Sequence, residues 1–353
     1  MRLPARRLFM GVLLIMGLVG IVYVARIGYR WNRAISDVNQ VFVTSVTLPN
    51  LETPVPTTAA HVANQPTQLI PSPTPEPPLP DGTTTILLMG TDARPTDTEP
   101  TRTDALVLVH LNWHDNKVSM LSLPRDLWVT YPGGYGEGRI NAAYARGEKQ
   151  MAGGGPELAK ATVSELTGLK VDYFIMMNFT AFKTVIDELG GISINVPKEI
   201  IDPNFPTDDY RTIEVHFKAG EQIMDGERAL IYARTRHADS DFGRNQRQQE
   251  VLMAIFKTIR EKGLFDQITN IDRYTSALRD HVKTDLPRSM LFDLARLGAG
   301  LDPDRIHRYA IDSQIIYELK DPATFAVEPK ELRKIIGQIT GDAVSSAGGT
   351  EQK

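Results

Sequence analysis

Between Ala233 and Gln249 the chain reads ARTRHADSDFGRNQRQQ, with four arginines inside 14 residues. A guanidinium keeps its charge at all physiological pH and presents a planar fork that matches two phosphate oxygens. Arg234 and Arg236 are two apart and share a face if that stretch is extended. Arg244, Arg247 and Gln248 stand at i, i+3 and i+4, which places them on one face of a helix. Asp241 is a suitable cap for such a helix beginning near Phe242, and Gly263 a suitable stop. Cations in a first helical turn oppose the helix dipole. Two of them there make sense if an anion docks at that N-terminus. The competing reading is structural, with Asp239 and Asp241 neutralising the arginines locally.

A second set of charges joins the first if short apolar runs become neighbouring strands. Thr85–Gly90 (TILLMG), Ala105–Leu111 (ALVLVHL) and Lys117–Leu123 (KVSMLSL) read as buried strands. Asp115 and Asn116 supply the turn between the last two. Antiparallel pairing of consecutive strands puts the end of the first, the start of the second and the end of the third on one edge. Asp92 and Arg94, Arg102 and Asp104, and Arg125 and Asp126 stand at those places. Strand ends are solvated, so any one of these charges needs no further reason. Three Arg/Asp pairs at one edge suggest a site where carboxylates and guanidinium groups meet a phosphorylated ligand.

The elements that follow alternate between the two kinds. A helix is expected over Pro156–Leu166, with Pro at its first position and Gly168 at its end. A strand follows at Val171–Phe179, then a helix capped by Thr180 over Thr180–Leu189, and a strand at Ile192–Val196. This order predicts an α/β domain whose mixed, largely antiparallel sheet carries helices on its faces.

Composition removes other classes. The 353 residues carry 39 Lys+Arg against 43 Asp+Glu, a net charge of −4, which argues against a nucleic-acid binder. There is no cysteine, hence no disulfide, thiolate metal site or thiol nucleophile. The triglycine Gly153–Gly155 lacks the Gly-Lys-Ser/Thr of a phosphate loop, the seven His lack zinc-protease spacing, and no Gly-x-Ser-x-Gly elbow occurs.

Charge is also unevenly placed. Residues 1–33 hold six arginines and no acid, leaving 33 basic and 43 acidic residues, a net of −10, in the rest. Leu8–Ala25 is an uncharged apolar run of 18 residues behind Arg2, Arg6 and Arg7. It predicts a single-pass anchor with the N-terminus inside and everything after Arg26 outside the cell membrane. A cleaved signal peptide fits less well, because Tyr23 stands where a small residue is needed. Ten prolines in the 32 residues Pro49–Pro80 make that stretch a semi-extended spacer. The expected organisation is a cytoplasmic N-terminus at 1–7, an anchor at 8–25, a stalk and linker at 26–82, a folded domain at 83–337 and a tail at 338–353.

Taken in order, LLMGTDAR (87–94), RTDAL (102–106), SLPRD (122–126), RINAAYARG (139–147), DELGGISINVP (187–197) and DGERALIYARTRHADSDFGRNQRQQ (225–249) resemble the LytR-CpsA-Psr family of cell-envelope proteins. The likeness covers about residues 83–260. Arg139 stands where the family usually has Lys, and Asp225 where Asn is common.

The resemblance implies an α-β-α fold and a Mg²⁺-dependent phosphotransferase. Such an enzyme moves a glycopolymer from a polyprenyl, undecaprenyl-type diphosphate carrier to a peptidoglycan hydroxyl. By the same resemblance Asp92 and Asp104 hold Mg²⁺, and Arg102, Arg125, Arg234, Arg236, Arg244, Arg247 and Gln248 face the diphosphate, with Arg94 a further candidate. Asp92, Asp104, Arg102 and Arg125 are then the groups nearest the reacting phosphorus. Hydrolysis of the carrier diphosphate, or lipid-carrier binding without catalysis in an envelope regulator, are the alternative functions.

Overall fold

A computed structural model describes residues 42–51, 80, 82–92, 100–207, 211–236, 240–269, 281–319 and 324–341. The expected anchor, Arg94, Asp239 and the residues after 341 lie outside them. Among the described residues no helix is long and apolar enough to cross a membrane.

The elements run as follows: β1 Thr83–Thr91, β2 Thr103–Asn112, β3 Lys117–Ser122, β4 Trp128–Tyr131, β5 Gly136–Arg139, α1 Ala143–Gln150, α2 Gly154–Thr167, β6 Tyr173–Asn178, α3 Phe179–Glu188, β7 Ile192–Val196, β8 Ile200–Pro206, β9 Thr212–Phe217, β10 Gly220–Met224, α4 Gly226–Arg234 and α5 Asp241–Thr269. They continue with β11 Val282–Thr284, α6 Arg288–Gly300, β12 Ile306–Ala310, β13 Ile316–Glu318, β14 Phe325–Val327 and α7 Pro329–Thr340. The main sheet has the order β11-β6-β1-β2-β3-β12. β1 runs antiparallel to β2, β2 to β3 and β11 to β6, whereas β6 is parallel to β1 and β12 to β3. The sheet is mixed and the fold is α/β.

The strand period of two sorts the core into layers. Leu87, Met89, Leu106, Leu108, Leu121 and Phe174 face α1, α2 and α7. Ile86, Val107, Val118 and Met120 point the other way, toward Leu297 of α6 and Leu301 just past its end. Helix ends follow local chemistry. Gly168 closes α2 at φ 73°, as its sequence position predicts. α3 is capped two residues earlier than expected, because Asn178 Oδ1 accepts from the Ala181 N–H at 3.0 Å and leaves Thr180 inside the helix. α5 breaks at Gly263, whose φ of 70° and ψ of 160° cannot continue a helix.

Composition assigns Phe42–Leu51 to the stalk and linker; in the structure it belongs to the packed body. Phe42 bridges to Thr284, Val43 N–H donates to the Thr284 carbonyl at 2.9 Å, and Tyr135 Oη donates to the Pro49 carbonyl at 2.8 Å. Leu48 is 1% exposed within the core over α2. The anchoring point is glycine-dependent, since a Cβ on Gly154 would stand 2.6 Å from Leu48 Cδ2. Behind the strap, Lys160 Nζ lies 2.5 Å from Asp285 and 3.2 Å from Glu157. Asp285 also accepts from the Phe174 N–H at 2.8 Å. The proline-rich run therefore connects two points of the same domain, Leu51 and the start of β1.

If the strap is part of the fold, Leu48→Ala removes a fully buried side chain. It should lower unfolding stability by about 2–5 kcal/mol. Urea unfolding of a form beginning at residue 42, set beside one beginning at Thr83, checks the same point; equal midpoints would contradict it.

Candidate functional site

The expected strand edge forms. Thr91 pairs with Thr103, and Gly90 with Ala105, so the register slips between them and Asp104 is the extra residue of a β-bulge. A bulge turns its side chain out of the strand's alternation. Gly90 permits the close approach: a Cβ there would lie 3.2 Å from that of Ala105. Arg125, just past β3, donates from Nη1 to Asp104 Oδ1 at 2.9 Å. On its other side Arg125 Nε lies 3.5 Å from Asp126, and Asp126 accepts an ion pair from Arg139 at 3.2 Å. Charges alternate along this ladder, so no cation in it faces only cations.

A cavity of about 250 Å³ opens beside the ladder. One wall is a flat apolar patch of the sheet. Val107, Leu88 and Ile175 are register partners across β2, β1 and β6, and Met177 lies one pleat further on. Phe179 and Phe182 of α3 and Leu252 of α5 extend that wall. The opposite rim holds Asp104, Arg125, Arg234, Arg236, Arg244 and Gln248. Arg244, Gln248 and Leu252 are at i, i+4 and i+8, one stripe of α5. Gln249 fixes that helix to the sheet edge, donating from Nε2 to Ser122 Oγ at 2.9 Å and to the Tyr309 carbonyl at 2.7 Å. The helix starts at Asp241, and Ser240 supplies the cap: its Oγ accepts from the Gly243 N–H at 3.3 Å.

Arg234 and Arg236 do not share an extended strand. Arg234 is the last residue of α4, and its guanidinium lies over the rings of Phe179 at 4.6 Å and Phe205 at 5.2 Å. Arg236 follows in the loop, its N–H donating to Asp202 Oδ2 at 3.2 Å. Asp202 is wholly buried and also accepts from the Asn204 N–H at 3.1 Å.

Three expected residues stand away from the cavity lining. Arg247 is 4% exposed; its guanidinium donates to the carbonyls of Tyr232, at 3.2 Å, and Thr235. It braces the turn that presents Arg234 and Arg236. Its place at i+3 from Arg244 rotates it off the stripe that faces the cavity. Arg102 is exposed and lies toward β4, where, with Arg146, it tempers the rise that burial imposes on the Tyr131 hydroxyl pKa. Asp92 is exposed at the end of β1. Asn178, Phe179 and Asp202 were missed by motif reading. An Asn before a helix-like apolar face, and an Asp-Pro-Asn turn, were their available signals.

Asp92 and Asp104 supply hard oxygen donors on neighbouring strands, and no group of three or more His, Cys, Asp or Glu forms a metal cluster among the described residues. Mg²⁺ asks for no more than one or two carboxylates beside water and phosphate oxygens. The donor chemistry of the two Asp, though not a shared place in the cavity lining, suits such an ion.

The fold is an α-β-α domain with an arginine-rimmed, apolar-walled cavity at the edge of its sheet. The chain belongs to the LytR_cpsA_psr family, whose family model matches residues 52–339. It is 34% identical over 215 residues to regulatory protein MsrR of Staphylococcus aureus (strain COL), covering 60% of this chain and 59% of that one. It is 38% identical over 191 residues to the polyisoprenyl-teichoic acid–peptidoglycan teichoic acid transferase TagT of Bacillus subtilis (strain 168), covering 52% and 56%. The chain thus spans under two thirds of these curated relatives. Among solved structures it resembles B. subtilis TagV (TM-score 0.59, 27% identity, 74% of this chain and 99% of that one). It also resembles TagT bound to LI-WTA (TM-score 0.54, 28% identity, 74% and 91%).

The two kinds of arginine should separate on mutation. Arg247→Ala leaves two buried carbonyls unsatisfied and should cost about 1–3 kcal/mol of stability. Arg236→Ala, on an exposed side chain, should leave the melting temperature within about a degree while weakening diphosphate binding. Thermal unfolding and binding of an inorganic or lipid diphosphate on both variants check this.

Proposed function

We propose that this chain transfers a glycopolymer from a polyprenyl diphosphate carrier to a hydroxyl of peptidoglycan, forming a phosphodiester. The observation that carries the reading is the union of a cationic rim and an apolar wall in one cavity. The rim suits a diphosphate, the wall an isoprenoid chain. The printed names of TagT and TagU describe transfer of polyisoprenyl-linked teichoic acid to peptidoglycan, which supports the same reaction class here.

In this reading Arg125, Arg234, Arg236 and Arg244 bind the phosphate oxygens, and Gln248 adds a neutral donor. Phosphoryl transfer depends chiefly on positioning and charge stabilisation, which fixed guanidinium groups supply without reorganising. The acceptor oxygen attacks the glycan-side phosphorus, the P–O bond to the lipid phosphate breaks, and polyprenyl phosphate leaves with the bridging oxygen. The hydroxyl proton passes to solvent or to a carboxylate at the edge. Asp92 and Asp104 would hold Mg²⁺, which when bound neutralises phosphate charge. Arg247 acts indirectly, by holding the Arg234–Arg236 turn.

The same reading takes Leu8–Ala25 as an anchor with the domain outside the cell. The strap shortens the tether to residues 26–41. Those 16 residues reach about 24 Å as a helix and about 50 Å extended. Such a tether keeps the cavity within reach of a carrier lipid in the bilayer.

Purified full-length protein incubated with a labelled lipid-linked glycan, with and without peptidoglycan, tests the proposal. Label on the wall, dependent on Mg²⁺, is the expected result. Arg125→Ala should lower turnover about a hundredfold, as loss of one preorganised donor does. Free glycan phosphate without wall label would mean hydrolysis, and intact bound lipid would mean binding alone.

A further inference from the structure

A second cavity, of about 320 Å³, lies between β4, the end of α2 and the outer side of α7. Val129, Val327 and Leu332 form its floor; Trp128, Glu165 and Arg333 stand around it. The half-buried indole and the two exposed charged groups make no side-chain hydrogen bond or ion pair among the described residues. Elsewhere on α7 Lys334 pairs with Glu331 at 2.7 Å. From the opposite end of the sheet, Lys117 donates to the Gln338 carbonyl at 3.0 Å. Here, instead, an aromatic plane, one carboxylate and one guanidinium are left around a shared apolar floor.

We infer that this cavity is the subsite for the acceptor glycan strand. The inference rests on the transfer reading above. One acid and one base cancel in net charge, so a polyanion or an anionic membrane gains little. A neutral polar ligand with an apolar face gains from every group. A sugar ring offers its polarised C–H face to the electron-rich face of the indole. Its hydroxyl and acetamido groups both donate and accept, matching a carboxylate that only accepts and a guanidinium that only donates.

The cavity is also coupled to the catalytic edge. Trp128 pairs in register with Arg139, the outer member of the charge ladder that runs through Asp126 and Arg125 to Asp104. Only Asp126 and Leu127 separate Trp128 from Arg125, and a turn closed by the Leu127 N–H on the Pro124 carbonyl at 3.1 Å folds the chain there, so the two backbones lie within about 10 Å, the most that three residue steps can reach. A short oligosaccharide spans that distance. A strand seated on Trp128 would therefore lead a neighbouring hydroxyl toward the donor phosphate.

The test is calorimetric titration of full-length protein in detergent with a GlcNAc–MurNAc tetrasaccharide whose lactyl carboxyls are capped as amides, which keeps it neutral, alongside titration with a polyprenyl diphosphate. Wild type should bind the tetrasaccharide. Trp128→Ala should weaken it about tenfold and Glu165→Gln and Arg333→Ala about threefold, in the range of single aromatic and hydrogen-bonding contacts. Polyprenyl diphosphate affinity should be unchanged in all three. Absence of tetrasaccharide binding by wild type, or equal binding by wild type, Trp128→Ala and Arg333→Ala, would overturn the inference. Should Trp128→Ala lose secondary structure by circular dichroism, the two variants at exposed positions decide. Tetrasaccharide binding that survives while no wall label is ever transferred would sink the transfer reading and leave the glycan site standing.

Discussion

The bulge at Asp104 and the guanidinium of Arg125 that meets it tie the sheet to the chemistry at its edge. Without the slip between Gly90–Ala105 and Thr91–Thr103, the strand alternation would carry past Asp104 unbroken. With it, the carboxylate turns to Arg125 at 2.9 Å on the cavity rim. Both side chains keep 20–37% of their surface in solvent, so the pair contributes little to stability. Its effect is geometric. It holds a cation at the sheet edge, while Asp126 and Arg139 hold that cation from behind. Arg125 thereby has one fixed orientation before any ligand arrives, which is the condition for charge stabilisation without reorganisation.

The remaining arginines reach the same cavity by a different route, and each has its own restraint. Arg234 leans on two aromatic rings, Arg236 hangs from a loop pinned by buried Asp202, and Arg244 rides on a helix fastened to β3 and β12 through Gln249. Guanidinium groups so close repel one another, and rings, carboxylates and backbone carbonyls set their positions. Opposite them the sheet offers Leu88, Val107, Ile175 and Met177. The two walls differ in polarity because one is strand interior and the other is a set of helix ends and loops.

Much of this was legible in the residues. The apolar runs at 85–90, 105–111 and 117–123 are strands, and short connections make them antiparallel neighbours, so the charged edge followed from pairing alone. Asp104, Arg125, Arg234, Arg236, Arg244 and Gln248 do converge. Arg247 did not follow its helical neighbours, because a 3.6-residue period leaves room on one face for both a stripe toward the cavity and a brace toward Tyr232. Periodicity cannot tell those apart. Nor could composition find the Phe42–Leu51 strap, since its burial depends on glycines at 153 and 154 and an ion pair near residue 285, all distant in sequence. Asp202 was hidden for the same reason: a lone acid in a strand shows its role only once the Arg236 backbone is set against it.

The central claim is that one cavity reads both ends of a lipid diphosphate. Its most direct test is a titration of the full-length protein with inorganic diphosphate and with prenyl diphosphates of increasing chain length, at low and high salt. The account predicts affinity that rises with each isoprene unit until the apolar wall is covered, and that falls for every member as salt screens the arginine rim. Inorganic diphosphate binding as tightly as the longest prenyl diphosphate, or prenyl affinity indifferent to salt, would contradict it.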